Sequence, residues 1–290
     1  MKKNCLTCIK DSDDETDSEI PKWSLMMGNY SLLPSVLNNN SKYNALENVL
    51  KEETPTIKTY PVNVELETKS NTWVFYWAAD SQDSFDKIKG PIEAYNDFTN
   101  HGLTKSNDNG KATMIIDCPQ LYEVEGVVYP KHIHYVLLKS DKTWDHENVK
   151  TRRIHCDVSK ESLKYMLDKS SHLVLNALPK ESYEEKHIPG SLNLPHDTVL
   201  KEIPEILESY KKKTKLGKYP LNILPVVLYC AHSECSASDK LMKKLEELDM
   251  VNVSEYSGGM KEWFSTESQV DSQVTPISDN KDMYDLNIEK

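Results

Sequence analysis

The strongest constraint on the fold is an alternation of buried strands and amphipathic helices over residues 151–266. Leu173-Val174-Leu175, Val226-Val227-Leu228-Tyr229 and Val251-Asn252-Val253-Ser254-Glu255-Tyr256 are short runs rich in apolar residues. Strands covered on both faces of a parallel sheet read this way. Around them lie helical patterns. Ser159 stands as an N-cap before Leu163, Met166 and Leu167. Residues 202–210 end in the basic Lys211-Lys212-Lys213, and residues 238–248 carry Leu241, Leu245 and Leu248 on one face. Polar caps, basic C-termini and 3.6-residue apolar spacing are the physical marks of helices. Gly258-Gly259 predicts a turn into a last helix over 260–264. Strand–helix alternation predicts a parallel α/β sheet with flanking helices.

Residues 60–145 have a different texture. Val62-Asn63-Val64-Glu65-Leu66 alternates apolar and polar, and Trp73-Val74-Phe75-Tyr76-Trp77 is aromatic and β-branched. Both read as strands. Asn107-Asp108-Asn109-Gly110 is a turn signal, and residues 112–116, 127–129 and 133–138 continue the strand pattern. An all-β sandwich is expected here, ahead of the α/β domain. Residues 43–53 allow a helical turn or two, with Leu46, Val49 and Leu50 on one face. The run Asp11-Ser12-Asp13-Asp14-Glu15-Thr16-Asp17-Ser18-Glu19 is too polar to offset its ordering entropy. The reading is therefore a flexible acidic segment over 1–59, a sandwich over 60–145, an α/β domain over 151–266 and a flexible tail over 267–290.

The formal net charge of −11 weighs against nucleic-acid partners and against an anionic membrane surface. No apolar run is long enough to cross a bilayer, and no apolar stretch follows Met1-Lys2-Lys3 as a secretory signal would require. The six cysteines in so long and charged a chain fit a reducing, cytoplasmic setting better than a disulfide scaffold. Cys5-Leu6-Thr7-Cys8 lacks the second pair that zinc wants, and Cys118 and Cys156 carry no motif.

Cys230 directly follows a buried strand and precedes a short loop and a helix. Ligands of open α/β sheets bind at the carboxyl ends of strands, so this residue stands at a functional edge. The loop Ala231-His232-Ser233-Glu234-Cys235-Ser236 leads into the helix, with Ser236 or Ser238 as its cap. A helix N-terminus favours thiolate over thiol, and the thiolate is the nucleophile.

Three further segments carry a resemblance. They are Leu173-Val174-Leu175-Asn176-Ala177-Leu178 running on to Tyr183 through Pro195, which contains His187-Ile188-Pro189-Gly190-Ser191-Leu192-Asn193-Leu194-Pro195; Val227-Leu228-Tyr229-Cys230; and Tyr256-Ser257-Gly258-Gly259-Met260-Lys261-Glu262-Trp263. In this order, over about a hundred residues, they resemble the rhodanese sulfurtransferase family. The resemblance implies an α/β rhodanese-like parallel sheet with Cys230 as sulfur carrier. It implies a sulfurtransferase of the thiosulfate type, with a persulfide held by N–H groups of residues 231–236, a small thiosulfate-like or persulfide donor, a thiol or protein acceptor, and no cofactor. Asn176-Ala177-Leu178 stands where that family usually has Asp-x-Arg, and the loop has no Arg or Lys but holds Glu234. The first removes a common ion pair; the second points away from anionic thiosulfate as donor. Cys235 is either a resolving thiol or a passive loop residue. A cysteine phosphatase would need Arg six residues after the cysteine, where Ser236 stands. A rhodanese-fold interaction module without turnover is the alternative function.

In residues 60–145, His132-Ile133-His134 places two imidazoles on one strand face. Asn109-Gly110-Lys111-Ala112, Cys118-Pro119-Gln120-Leu121-Tyr122 and Pro130-Lys131-His132-Ile133-His134-Tyr135 together resemble the β-sandwich of intradiol ring-cleavage dioxygenases. That resemblance implies Fe(III) held by Tyr122, His132, His134 and, as a fourth ligand, Tyr95. It also raises a metal-dependent oxygenase as a second alternative. The family's substrate-side Arg has no counterpart, with Tyr129 and Lys131 in that region.

Overall fold

Residues 37, 41–46, 49–81 and 88–265 are described by a computed structural model of the chain. They fall into two compact units, the first ending at Cys156 and the second beginning at Asp157.

The first unit runs β1 (Pro61–Glu67), β2 (Trp73–Ala78), α1 (Pro91–Tyr95), β3 (His101–Lys105), β4 (Lys111–Asp117), β5 (Tyr122–Val124), β6 (Val127–Tyr129), β7 (His132–Leu137) and β8 (Lys150–Arg153). A four-stranded antiparallel sheet has the order β3-β2-β7-β8, while β1 pairs with β4 and β5 with β6. The aromatic run of β2 is explained by its central place. Val74, Tyr76 and Ala78 face Val62, Val64, Met114 and Ile116 of the β1–β4 ribbon. Phe75 and Trp77, on the opposite face, pack with Tyr95, Tyr122, Tyr129 and Trp144. A strand buried on both faces shows no alternation. The turn expected at 107–110 is present, with Gly110 at φ +76° in the left-handed region.

Several features of this unit depart from expectation. The described residues of 43–53 form no α-helix. A 3-10 turn covers Ser41–Tyr43, and Glu53 exchanges two 2.8 Å backbone hydrogen bonds with Leu103, which requires extended chain. Leu46 and Val49 are exposed, whereas Tyr43 and Leu50 are buried in the aromatic core. The unit thus extends beyond residues 60–145 at both ends. The sequence reading passes over β3, β5, β8 and α1. β8 reads Lys150-Thr151-Arg152-Arg153, the charged composition of an edge strand. Cys118 and Cys156 form a disulfide, which runs against the reducing setting expected from cysteine usage. The expected flexible tail over 267–290, the acidic run and the Cys5–Cys8 pair lie outside the described residues.

The second unit runs α2 (Lys160–Lys169), β9 (Leu173–Asn176), α3 (Lys180–Glu185), β10 (Leu192–Asn193), α4 (Ile203–Lys212), β11 (Val226–Tyr229), α5 (Ala237–Glu247), β12 (Val253–Tyr256) and α6 (Gly259–Trp263). Its sheet has the order β10-β9-β11-β12, and every pairing is parallel. One face of the sheet carries Leu173, Leu175, Val226 and Leu228 against Leu207, Leu241 and Leu245. The other carries Val174, Val227 and Tyr229 against Leu163 and Met166. Ser159 caps α2 by accepting the N–H of Ser162, as the sequence predicts. The strand β11, between β9 and β12, delivers Cys230 to the centre of the carboxyl edge.

Candidate functional site: a cysteine loop and a tyrosine–histidine cluster

Cys230 leaves β11 with its side chain 3% exposed. Tyr229, one residue earlier, is anchored beneath the loop. Its hydroxyl accepts from Ile188 N–H at 3.0 Å and lies 2.7 Å from Ser191 Oγ. The stretch His187 to Pro195 therefore braces the strand that carries Cys230. The Gly-Gly pair acts from the opposite direction. Met260 N–H donates to Cys230 O at 3.0 Å, and Lys261 N–H to Ala231 O at 2.9 Å. Gly259 has φ +57°, and a Cβ there would lie 2.9 Å from His232 N. Only glycine meets both conditions without displacing the loop.

The sulfur's own neighbours were only partly foreseen. Ser238 Oγ donates to Cys230 Sγ at 3.3 Å, while the thiol faces the carbonyls of Cys235 (3.3 Å) and His232 (3.6 Å). Ser238 was expected only as a cap. In fact Ser236 holds the N-cap position without a side-chain cap bond. Among the loop amides, Cys235 N–H donates to His232 O, and Glu234 N–H to His232 Nδ1. Two of the N–H groups expected to cradle a persulfide are thus engaged within the loop.

The thiolate expected at rest is not favoured. Burial first, and then the neighbouring Cys235 side chain, push the Cys230 thiol up to about 11, against the lowering by the Ser238 hydroxyl and N–H. The helix terminus acts through Ser238, but desolvation outweighs it. His232, Ser233 and Glu234 are exposed, and Ala231 and Cys235 are partly buried. Cys230 and Cys235 are both free thiols. At the Asp-x-Arg position, Asn176 is fully buried, and its Oδ1 accepts the N–H of Leu178 at 2.8 Å. A neutral side chain thus closes that turn without an ion pair.

Family comparison decides what this edge belongs to. The family model "Rhodanese-like domain" matches residues 159–266. Residues 159–266 are a rhodanese-like domain. The adenylyltransferase and sulfurtransferase UBA4 of Meyerozyma guilliermondii is 31% identical over 100 residues, which cover 34% of this chain and 22% of that protein. The chain therefore matches well under two thirds of that curated relative's length. Among solved structures, human single-domain sulfurtransferase TSTD1 is 20% identical, with 39% of this chain and 97% of that chain covered at TM-score 0.30. A rhodanese-like domain protein of Staphylococcus aureus is also 20% identical, covering 40% and 98% at TM-score 0.28. The rhodanese-like match stops short of residues 60–145 and lends nothing to their dioxygenase resemblance.

In the first unit, the four side chains singled out as iron ligands do converge. Tyr122 Oη is 2.9 Å from His132 Nε2. Tyr95 Oη lies 3.2 Å from His132 Nε2 and 3.0 Å from His134 Nε2. His132 Nδ1 donates to Pro130 O at 2.6 Å, so its Nε2 presents a lone pair. His134 Nδ1 is 2.7 Å from Thr151 Oγ1. All four side chains are at most 2% exposed. Burial pulls His132 down to about 4 and His134 well below the usual imidazole range, and it holds both phenols far above theirs. Burial thus favours the neutral form of all four groups.

Lys131 does not take the substrate-side place of the resembled family. Strand alternation turns it to the other face, where its Nζ lies 3.5 Å from Cys118 Sγ and 3.8 Å from Cys156 Sγ. Thr151 carries no signal in the sequence and Ser238 signals only a helix cap, because each acts through one polar atom on an element chosen for other reasons.

Proposed function

We propose that the rhodanese-like domain transfers sulfane sulfur through a persulfide on Cys230. The observation that carries this reading is a single cysteine at the carboxyl edge of the central strand, with Ser238 aimed at its sulfur and Met260 N–H donating to its carbonyl. The Cys230 thiolate attacks the outer sulfur of a donor persulfide. A new S–S bond forms, the donor's S–S bond breaks, and the donor leaves as a thiolate. An acceptor thiolate then attacks the outer sulfur and expels Cys230 as thiolate. The Ser238 hydroxyl stabilises the negative charge at Sγ in both steps. The loop offers no cation and exposes Glu234, so a persulfide donor suits it better than dianionic thiosulfate. The test is intact mass after acid quench within seconds of mixing with glutathione persulfide. Wild type gains one sulfur and Cys230→Ser gains none. A folded wild type that never gains sulfur would favour the interaction module without turnover.

A second reading concerns the first unit, which we propose is a β-sandwich that binds a hard cation such as Fe(III). Its support is the convergence of Tyr95, Tyr122, His132 and His134. Ligands about 2.1 Å from one ion at right angles lie about 3 Å apart, close to the separations found here. Phenolate and imidazole suit ferric iron, which when bound supplies Lewis acidity and redox capacity. Each imidazole is oriented through its Nδ1, as ligating histidines are. Burial of all four side chains supports ion binding rather than an oxygenase with an open substrate face. Anaerobic loading with iron followed by oxidation should give a tyrosinate charge-transfer colour that Tyr122→Phe weakens. Colourless, iron-free protein would end this reading.

A further inference from the structure

We infer that Cys235 resolves the Cys230 persulfide, expelling hydrosulfide and closing a Cys230–Cys235 disulfide. This rests on the persulfide reading above and adds a second sulfur residue to it. Cys230 and Cys235 are the two free cysteines among the described residues, and they open and close a stretch of six residues. The turn closed by Cys235 N–H on His232 O at 2.9 Å folds Cys235 back over the active sulfur. Its carbonyl oxygen lies 3.3 Å from Cys230 Sγ, and its side chain is partly buried against the core cluster that holds Cys230. Cys230 itself is 3% exposed, and Cys235, partly buried in the same loop, needs no approach from solvent. A nucleophile held beside its target reacts as though at very high local concentration.

The chemistry chooses which sulfur Cys235 attacks. Attack on the outer sulfur would expel the Cys230 thiolate and only move the persulfide to Cys235, leaving the sulfane sulfur on the loop. Attack on the inner sulfur expels hydrosulfide, the conjugate base of a stronger acid. In that step the Cys235 thiolate bonds to Cys230 Sγ. The Sγ–S bond breaks, and its electron pair departs with the outer sulfur as HS⁻. The thiol proton of Cys235 passes to water. The sulfane sulfur is reduced to sulfide, and the two cysteines are oxidised to one disulfide. Two equivalents of a low-molecular thiol return the loop to its starting state. The absence of Lys and Arg from positions 231–236 fits a loop that does not retain an anionic persulfide.

The experiment follows the full-length wild type, Cys235→Ser and Cys230→Ser after a pulse of glutathione persulfide, with excess donor removed. Intact mass and trapped sulfide are read over time against each protein's own starting mass. Wild type is expected to gain one sulfur transiently, release one sulfide and finish two hydrogens lighter. Cys235→Ser is expected to hold the extra sulfur at least about tenfold longer, given the advantage of an intramolecular nucleophile. A wild type that retains its sulfur as long as Cys235→Ser overturns the resolving role and leaves the persulfide reading standing. If Cys235→Ser, still folded, never gains sulfur, the persulfide reading itself falls, and the inference with it.

Discussion

At the Cys230 loop one side chain carries the chemistry and the backbone arranges it. At the tyrosine–histidine cluster four side chains from β7, β5 and α1 supply everything, and the backbone only brings them together. The loop depends on a glycine at positive φ, two N–H groups on the carbonyls of residues 230 and 231, and one serine hydroxyl. The cluster depends on strand alternation, which puts His132 and His134 on one face opposite Tyr95 and Tyr122. Both are buried, yet burial acts differently on them. It holds the Cys230 thiol protonated and so restrains a nucleophile. In the cluster it keeps four donors neutral, with their lone pairs converging. A loop of this kind fails when the backbone shifts, and a cluster of this kind fails when a single donor atom is lost.

This contrast can be broken most sharply with Cys230→Ser. All sulfur loading should vanish by intact mass, while iron uptake by the first unit stays unchanged. Parallel loss of both would show that the two sites are not independent.

The next largest effect is on pH. Burial raises the Cys230 thiol, so the reactive thiolate is scarce near neutrality and grows as pH rises toward about 11. Alkylation of Cys230 by iodoacetamide should accelerate about tenfold per pH unit between roughly pH 7 and 10, measured by peptide mass. The same shift makes folding lose stability as pH climbs from the unfolded thiol's range through about 11, because only the unfolded state ionises there. A plateau in alkylation below about pH 8 would mean that Ser238 outweighs burial.

Gly259→Ala comes third. It places a Cβ against Cys230 O in a left-handed backbone, and should cost about 1–3 kcal/mol in denaturant melts while slowing sulfur loading. Thr151→Val should leave the loop untouched and weaken iron binding in the first unit by about tenfold to a hundredfold, read by titration. The smallest effect is that of Ser159→Ala, about 1 kcal/mol from the lost cap of α2, with both sites intact.

The two regions also differed in how far they could be read in advance. Every parallel strand and helix of residues 151–266 named from the sequence is present, because runs such as Val226-Val227-Leu228-Tyr229 are buried on both faces and leave little ambiguity. The position of Cys230 followed from strand, loop and helix order. Its protonation state did not, since desolvation depends on what covers the sulfur and not on what neighbours it in sequence. Ser238 was hidden eight residues downstream, inside a helix whose pattern explained it as a cap. In the first unit, His132-Ile133-His134 was legible because alternation is local, and Tyr95 and Tyr122 followed from resemblance. The Cys118–Cys156 pairing joins the chain just beyond β4 and just beyond β8, a long-range closure with no local signature. The strand β8 was missed because an edge strand of Lys, Thr and Arg looks like a loop.

The central claim, that Cys230 carries sulfane sulfur, is tested most directly in the Cys235→Ser background, where no neighbouring thiol can remove the load. Cys235→Ser and the double variant Cys230→Ser/Cys235→Ser are mixed with glutathione persulfide and weighed intact. The account predicts one added sulfur on the single variant, removed by excess thiol, and none on the double variant. No added sulfur on a folded single variant, or equal addition to both, would contradict it.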